Sequence, residues 1–180
     1  MAVPTEGSSG TVAFSALLAG NEEAAARVRA VDAIDRKILV ELQRDGRQTI
    51  TELADKVDLT VSPAHRRLRE LERSGAIRGY RAVVDPAALG LTFEALLFVV
   101  MGQEDRETLA AFEEAVATIP NVVLAQRLFG DPDYLLWVVA EDIAAYQQLY
   151  DEVLSGLPGV LRLTSTLVMK RVVEQRPLPA

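Results

Sequence analysis

Between Thr60 and Arg81 the chain carries six arginines, Arg66, Arg67, Arg69, Arg73, Arg78 and Arg81, against Glu70 and Glu72, a local charge of +4. Guanidinium groups at this density suit phosphate oxygens, and on a helix they can also reach base edges. The segment Ala64-His65-Arg66-Arg67-Leu68-Arg69-Glu70-Leu71 places Ala64, Leu68 and Leu71 on one face. That leaves Ser62, His65, Arg66 and Arg69 for a groove, with Arg67, Arg73, Arg78 and Arg81 as flanking basic groups. The competing reading is an exposed helix whose arginines pair with Glu70, Glu72 and their neighbours. His65 is the only imidazole, and no Ser/Asp partners surround it. It reads as a groove or phosphate contact rather than a catalytic base.

A second constellation is Gly130-Asp131-Pro132-Asp133-Tyr134, set between two apolar runs. Gly, Asp and Pro are turn residues for backbone reasons, so a plain hairpin turn is the simpler reading. Carboxylates at i and i+2 could instead hold an ammonium group, with Gly130 admitting a ligand close to the backbone. Glu113-Glu114 and Asp151-Glu152 read as solvated helix faces.

Composition narrows the chemistry further. The 180 residues contain one His and no Cys, which excludes disulfides, thiolate zinc sites, His-pair metal sites and cysteine nucleophiles. No metal, no cofactor and no enzymatic activity are expected. No apolar run approaches the ~18 residues a membrane span needs, and the N-terminus lacks the basic and apolar regions of a secretory signal. A soluble, cytoplasmic protein is expected. The net charge of −7 hides a segregation: residues 31–81 hold 11 basic against 9 acidic groups, while residues 82–172 hold 5 against 13. An acidic second half disfavours DNA lying against it, so the basic face is the one docking surface for a polyanion.

Local patterns supply the elements that must position these groups. Residues 1–30 read as a flexible N-terminal extension, with Asn21 able to cap a short helix reaching Arg29. Ala33, Ile34, Ile38, Leu39 and Leu42 make one helical stripe, ended at Asp45-Gly46. Thr49 with Glu52 is a capping-box pattern for a short second helix. Ser62-Pro63 reads as the start of a third helix stopped by Gly75, and Ala76–Val84 alternates like a strand that could serve as a wing. Residues 85–91 read as a linker. Phe93–Gly102, Val122–Gly130, Asp133–Ala140 and Val160–Val173 read as strands. Helices over Arg106–Ile119 and Ile143–Leu157 are interleaved with them. The expected fold is therefore α+β: a winged helix-turn-helix domain over 31–84, a ferredoxin-like β-α-β-β-α-β domain over 92–173, and a tail over 174–180. Trp137, on an inner strand, is expected in the core or a dimer interface.

The combination of Ile34-Asp35 with Ile38-Leu39, Arg67 within Ser62–Leu71, Gly75-x-Ile77-x-Gly79-Tyr80, and Gly130-Asp131-x-Asp133-Tyr134 resembles the leucine-responsive/asparagine-regulator (Lrp/AsnC) family of prokaryotic transcription factors. The likeness runs from about Val31 to Val173. It implies double-stranded DNA as partner and dimers formed through the second domain, assembling further to octamers. It also implies a small effector, usually an amino acid, bound between dimers near the Gly-Asp-x-Asp turn. Carried over, Gly130, Asp131, Asp133 and Tyr134 become candidate effector residues, with Ser165 and Thr166 of the last strand beside them. The extension of about 30 residues and Pro132 in the turn depart from the usual pattern, so effector identity does not transfer.

Two recognition helices in a symmetric dimer would meet successive major-groove segments roughly 34 Å apart. Two other readings of the residues stay open. One is a largely sequence-neutral DNA organiser using the same helix, and the other a small-molecule-binding ferredoxin-like domain with accessory helices.

Overall fold

The stripe read from Ile34 to Leu42 is a helix, α1 (Ala33–Arg44), in the computed structural model, which describes residues 31–173 and 176–179. The expected extension and its Asn21–Arg29 helix lie outside the described residues. The described chain divides into two compact units, 31–82 with 176–179, and 83–173.

In the first unit, Asp32 caps α1 by accepting the Asp35 N–H at 2.8 Å. The second helix, α2 (Ile50–Lys56), has the full capping box: Glu52 accepts the Thr49 N–H at 2.7 Å, and Thr49 Oγ1 accepts the Glu52 N–H at 3.2 Å. The turn after it passes through Asp58 in the left-handed region, φ 58°. The third helix, α3 (Val61–Arg73), starts earlier than Ser62-Pro63 suggested. Thr60 takes the cap position without a side-chain bond, and Pro63 sits inside the first turn. A missing N–H costs nothing there, because the first four helical N–H groups have no intrahelical acceptor. Gly75, at φ +78°, ends α3 as expected. Ile38, Leu53, Val57 and Leu71 form the core of this unit, flanked by Ile34, Leu42 and Leu68.

The strand expected over Ala76–Val84 is absent: residues 76–85 form neither helix nor strand, and Val83 and Val84 are exposed. Alternation encodes an extended backbone, but a strand exists only when a neighbour satisfies its N–H and C=O groups, and none of the described residues pairs with this segment in a ladder. The expected linker is partly ordered as a 3-10 turn, Pro86–Leu89, capped by Asp85 and closed by Gly90 at φ 76°.

The second unit has the expected order: β1 (Phe93–Met101), α4 (Arg106–Ala117), β2 (Val122–Arg127), β3 (Tyr134–Ala140), α5 (Ile143–Glu152) and β4 (Val160–Leu167). The sheet runs β2-β3-β1-β4, every neighbour antiparallel. One face carries Ala95, Leu97, Val99, Leu136 and Val138 against Leu109, Phe112 and Val116 of α4 and Tyr146 of α5. The opposite face, with Leu96, Phe98, Leu135 and Trp137, is covered by no helix of the described residues and is only half-buried. The last strand stops at Leu167 rather than Val173. Arg171, just beyond it, lays its guanidinium 3.9 Å from the centre of the Trp137 ring and pairs with both oxygens of Glu94.

Candidate DNA-reading helix and effector turn

At 100° per residue, Ala64, Leu68 and Leu71 define the inward side of α3, and Ser62, Arg66, Arg69 and Arg73 fall on the opposite side. All four are exposed, as is His65. Among the described residues Arg66, Arg78 and Arg81 pair with no side chain, so their charge is available to a phosphate or base. Arg69 donates weakly to His65 Nε2 at 3.5 Å, one turn away. Arg73 is held by Glu70 in a two-pronged pair with a shortest distance of 2.6 Å. That exposed i,i+3 pair is of the weak surface kind.

Arg67 departs from its expected role. It sits on the flank of α3 that meets α1, where Nη1 donates to Asp32 Oδ2 at 2.6 Å and Asp35 Oδ1 at 2.7 Å. Asp35 is 2% exposed, the one buried charged residue described. A buried carboxylate demands a cation, and Arg67 supplies it. The guanidinium therefore fixes the angle of α3 on α1 and is not presented to a groove. The hydrogen bonds to Asp32 and then Asp35 push its own pKa further up.

The same cluster predicts an acid limit. The Asp35 N–H first, then the Arg67 guanidinium, hold the Asp32 carboxyl below its ordinary 3.8. A carboxyl depressed on folding contributes stability at pH values above its unfolded pKa, and that contribution disappears as pH falls through the folded value. The melting midpoint of the helical unit should fall below pH about 4, and Asp32→Asn should flatten that part of the profile. An identical acid slope in the variant would remove Asp32 from the account.

In the second unit the turn after β2 is pinned rather than open. Asp133 Oδ2 accepts the Met101 N–H at 2.7 Å, its N–H donates to Val99 O at 2.9 Å, and its carbonyl accepts from Leu128 at 2.7 Å. Tyr134 departs from its expected place in the effector site. It is 2% exposed, its ring packs on Phe112 with centroids 4.6 Å apart, and its hydroxyl donates to Glu113 Oε1 at 2.8 Å. Burial, then the bond to Glu113, pushes its phenol up to about 12. The alternation of β3 explains this: Tyr134 shares the inward side with Leu136 and Val138.

Ser165 and Thr166 are not brought to the turn within one chain. They pair with Leu97 and Leu96, the nearer of which lies four residues along β1 from the Met101 end that holds Asp133. That is roughly 13 Å at strand rise. Adjacent residues on a strand also face opposite sides, and the Ser165 hydroxyl lies 2.6 Å from that of Tyr146. Of the six candidates, Gly130, Asp131 and Thr166 stay solvent-facing and unengaged by other side chains. Among the described residues no group of three His, Cys, Asp or Glu is arranged to hold a metal.

Asp133→Ala should therefore cost stability as well as any effector response. Losing a charge-assisted acceptor of a partly buried N–H is worth about 1–3 kcal/mol. An unchanged melting midpoint would show that the Met101 bond contributes nothing.

Comparison with known proteins decides the lineage. A model described as winged helix-turn-helix DNA-binding matches residues 31–78, and one described as the Lrp/AsnC ligand binding domain matches residues 94–178. The chain is 41% identical over 145 residues to the proline dehydrogenase transcriptional activator of Rhodobacter capsulatus, covering 81% of this chain and 94% of that protein. The chain belongs to the Lrp/AsnC family of transcriptional regulators. This Lrp/AsnC chain is also 40% identical to the leucine-responsive regulatory protein of Rhizobium meliloti, over 79% of its own length and 91% of that protein's. In fold it matches a transcriptional regulator of Neisseria meningitidis solved with L-Met, at TM-score 0.79 and 33% identity, covering 83% of this chain and 97% of that one. An AsnC family regulator from Agrobacterium tumefaciens matches at TM-score 0.77 and 34% identity, over 82% and 96%. It is thus a DNA-binding transcriptional regulator with a ligand-binding domain. No helix among its described residues is long and apolar enough to cross a membrane.

Three parts of these sites escaped sequence reasoning. Asp35 had a visible signal, since it lies in line with Ile38 and Leu42 at helical spacing, and an acid on a core stripe needs a partner. Glu113 had none, being one of a pair that looked solvated. The Glu94–Arg171–Trp137 cluster depends on how the chain turns after β4.

Proposed function

We propose that the outward face of α3 reads a two-fold-symmetric operator from a homodimer, and that the second unit senses an amino acid. The observation that carries the first part is Arg66: exposed, unpaired, and central among Ser62, His65 and Arg69 on the second helix of a helix-turn-helix. Arg78 and Arg81 extend the basic surface for phosphates. The amino-acid class is supported by the L-Met complex of the Neisseria regulator. Dimerisation is supported by the face of the sheet that no described helix covers, whose Leu96, Phe98, Leu135 and Trp137 lie beside one another on β1 and β3. Gly130 and Asp131 remain the turn residues open to an effector, with Thr166 as a candidate from β4. The regulator acts without enzymatic chemistry and without a cofactor, in the cytoplasm where its DNA lies.

The test is binding of the full chain to its own upstream DNA across a salt series, with and without an amino-acid pool. Affinity should fall steeply with salt, and the pool should shift it. Arg66→Ala and Arg69→Ala should weaken binding, each flattening the salt slope by about one unit if it touches a phosphate. Unchanged binding in both variants would reject α3 as the reader. Binding indifferent to sequence and pool would favour a DNA organiser instead.

A further inference from the structure

We propose that residues 176–179 are a latch on the helical unit, seated at the groove beside residues 76–81 and holding Arg78 and Arg81 in place for DNA phosphates. The inference rests on the reading of those two arginines as phosphate contacts, and it names the occupant of a groove that this reading does not use. The groove runs between α1 and the 76–81 segment, lined by Leu39, Leu42, Ile77 and Tyr80, with Leu178 at its mouth. The chain leaves the helical unit after residue 82, and residues 176–179 rejoin it.

The sequence suits this segment to its seat. Pro177 and Pro179 fix their own φ, and each also restricts the residue before it. Arg176-Pro177-Leu178-Pro179 is therefore biased to extended backbone along its whole length before it docks. Little conformational entropy is lost on seating, the advantage proline-rich segments have on grooves that carry an aromatic ring. The prolines leave Leu178 with the one backbone N–H of residues 177–179, and that N–H donates to Gln43 Oε1 of α1 at 2.6 Å. The Leu178 side chain is 75% exposed over about 710 Å³ of open groove, so the backbone bond sets the position. Residues 176–179 bring one cation, Arg176, and no acidic side chain. The latch thus adds to the basic surface instead of competing with DNA for it.

The 76–81 segment needs such a support, since it forms neither helix nor strand. Its bonds to α3 are the Ile77 N–H donating to Leu71 O and the Tyr80 hydroxyl donating to Glu72 Oε1, each at 3.1 Å. Arg78 lies between these anchors and Arg81 beyond them.

The chain has no cysteine, so Gln43→Cys with Leu178→Cys in the full chain offers one disulfide where the hydrogen bond stands. Lys37→Cys with Leu178→Cys is the control, on α1 but outside the groove. Under the same mild oxidant the 43–178 pair should close within one chain at least tenfold faster than the 37–178 pair, read on non-reducing gels. Equal rates would overturn the seat, and a 43–178 bond between chains, seen as a doubled mass, would overturn the assignment of the chain's own segment as occupant. The oxidised 43–178 form should bind DNA at least as tightly as the wild type, and loss of binding on oxidation would overturn the supporting role. A released variant combines Gln43→Ala, Pro177→Gly and Pro179→Gly, all at exposed positions. Trypsin should cut it after Arg78 and Arg81 at least threefold faster than the wild type, and its DNA dissociation constant should rise at least threefold. Wild-type cleavage rates, or unchanged DNA affinity, would overturn the latch. Arg78→Ala and Arg81→Ala test the phosphate reading separately through the salt slope, because cross-linking and cleavage rates do not depend on DNA contact.

Discussion

Arg67→Ala is expected to destabilise the helical unit and weaken DNA binding through loss of fold, while Arg66→Ala weakens binding from a unit as stable as the wild type. The two residues are neighbours on α3, and both are arginines in the most basic part of the chain. Their surroundings separate them. Arg67 is the cation for Asp35, buried against Ile38 and the α1–α3 contact, and also bonds Asp32. Truncating it strands a carboxylate away from water, and breaking a buried pair in this way costs about 3–5 kcal/mol. A domain of this size is stable by about 5–15 kcal/mol in all. The midpoint should drop by more than about 10 °C, given about 4–8 °C for each kcal/mol in a small domain. Arg67→Lys should recover part of the loss, because one ammonium cannot hold two carboxylates with the fork geometry of a guanidinium. Circular dichroism melts of the three variants beside DNA titrations decide the matter. If Arg67→Ala melts like the wild type yet loses DNA, Arg67 is a contact after all and the ion pair is incidental.

That contrast also marks how far the sequence could be read. Periodicity and capping residues located the five α-helices of the described residues to within about a turn, because those signals are local: Thr49 with Glu52, Gly75, and the Ile34–Leu42 stripe each act within a turn or two. The order of strands and the antiparallel sheet followed from alternation and short turns. What failed was whatever depends on a partner distant in the chain. The pairing of Arg67 with Asp35 spans 32 residues, and α3 alone could not distinguish a phosphate ligand from a buried counter-ion. Tyr134 looked like part of the acidic turn in sequence, yet the register of β3 on β1 sends it inward to Phe112 and Glu113. Ser165 and Thr166 were grouped with that turn by family likeness, and the β1–β4 register separates them from it. The missing strand over Ala76–Val84 belongs to the same class of failure, since extended backbone becomes sheet only beside another strand.

The face of the sheet opposite α4 and α5 carries the other large expected effect. Phe98→Glu should turn the protein from dimer to monomer at micromolar concentration. Phe98 pairs with Leu135 across β1 and β3, on the side away from α4 and α5, with Leu96 and Trp137 adjacent. The Trp137 Nε1–H is shielded from solvent and has no acceptor among the described residues. An orphaned donor of this kind costs about 1–3 kcal/mol unless something supplies an acceptor, and a second copy of the face is the natural source. In a two-fold interface each substitution appears twice, so Phe98→Glu would bury two carboxylates near one another. Several kcal/mol per charge, at 1.4 kcal/mol for each tenfold, raises the dimer dissociation constant by more than about a thousandfold. Sedimentation velocity reads the change directly. A dimer that survives Phe98→Glu would place the contact elsewhere, for example along the exposed 78–85 segment. The coupling to DNA then follows from geometry: one chain presents one α3 helix, so the monomeric variant should bind a half-site and lose the preference for paired half-sites roughly 34 Å apart. Footprints shortened to a single half-site, with the α3 arginines intact, would show that symmetry at the sheet sets the length of DNA the helices read.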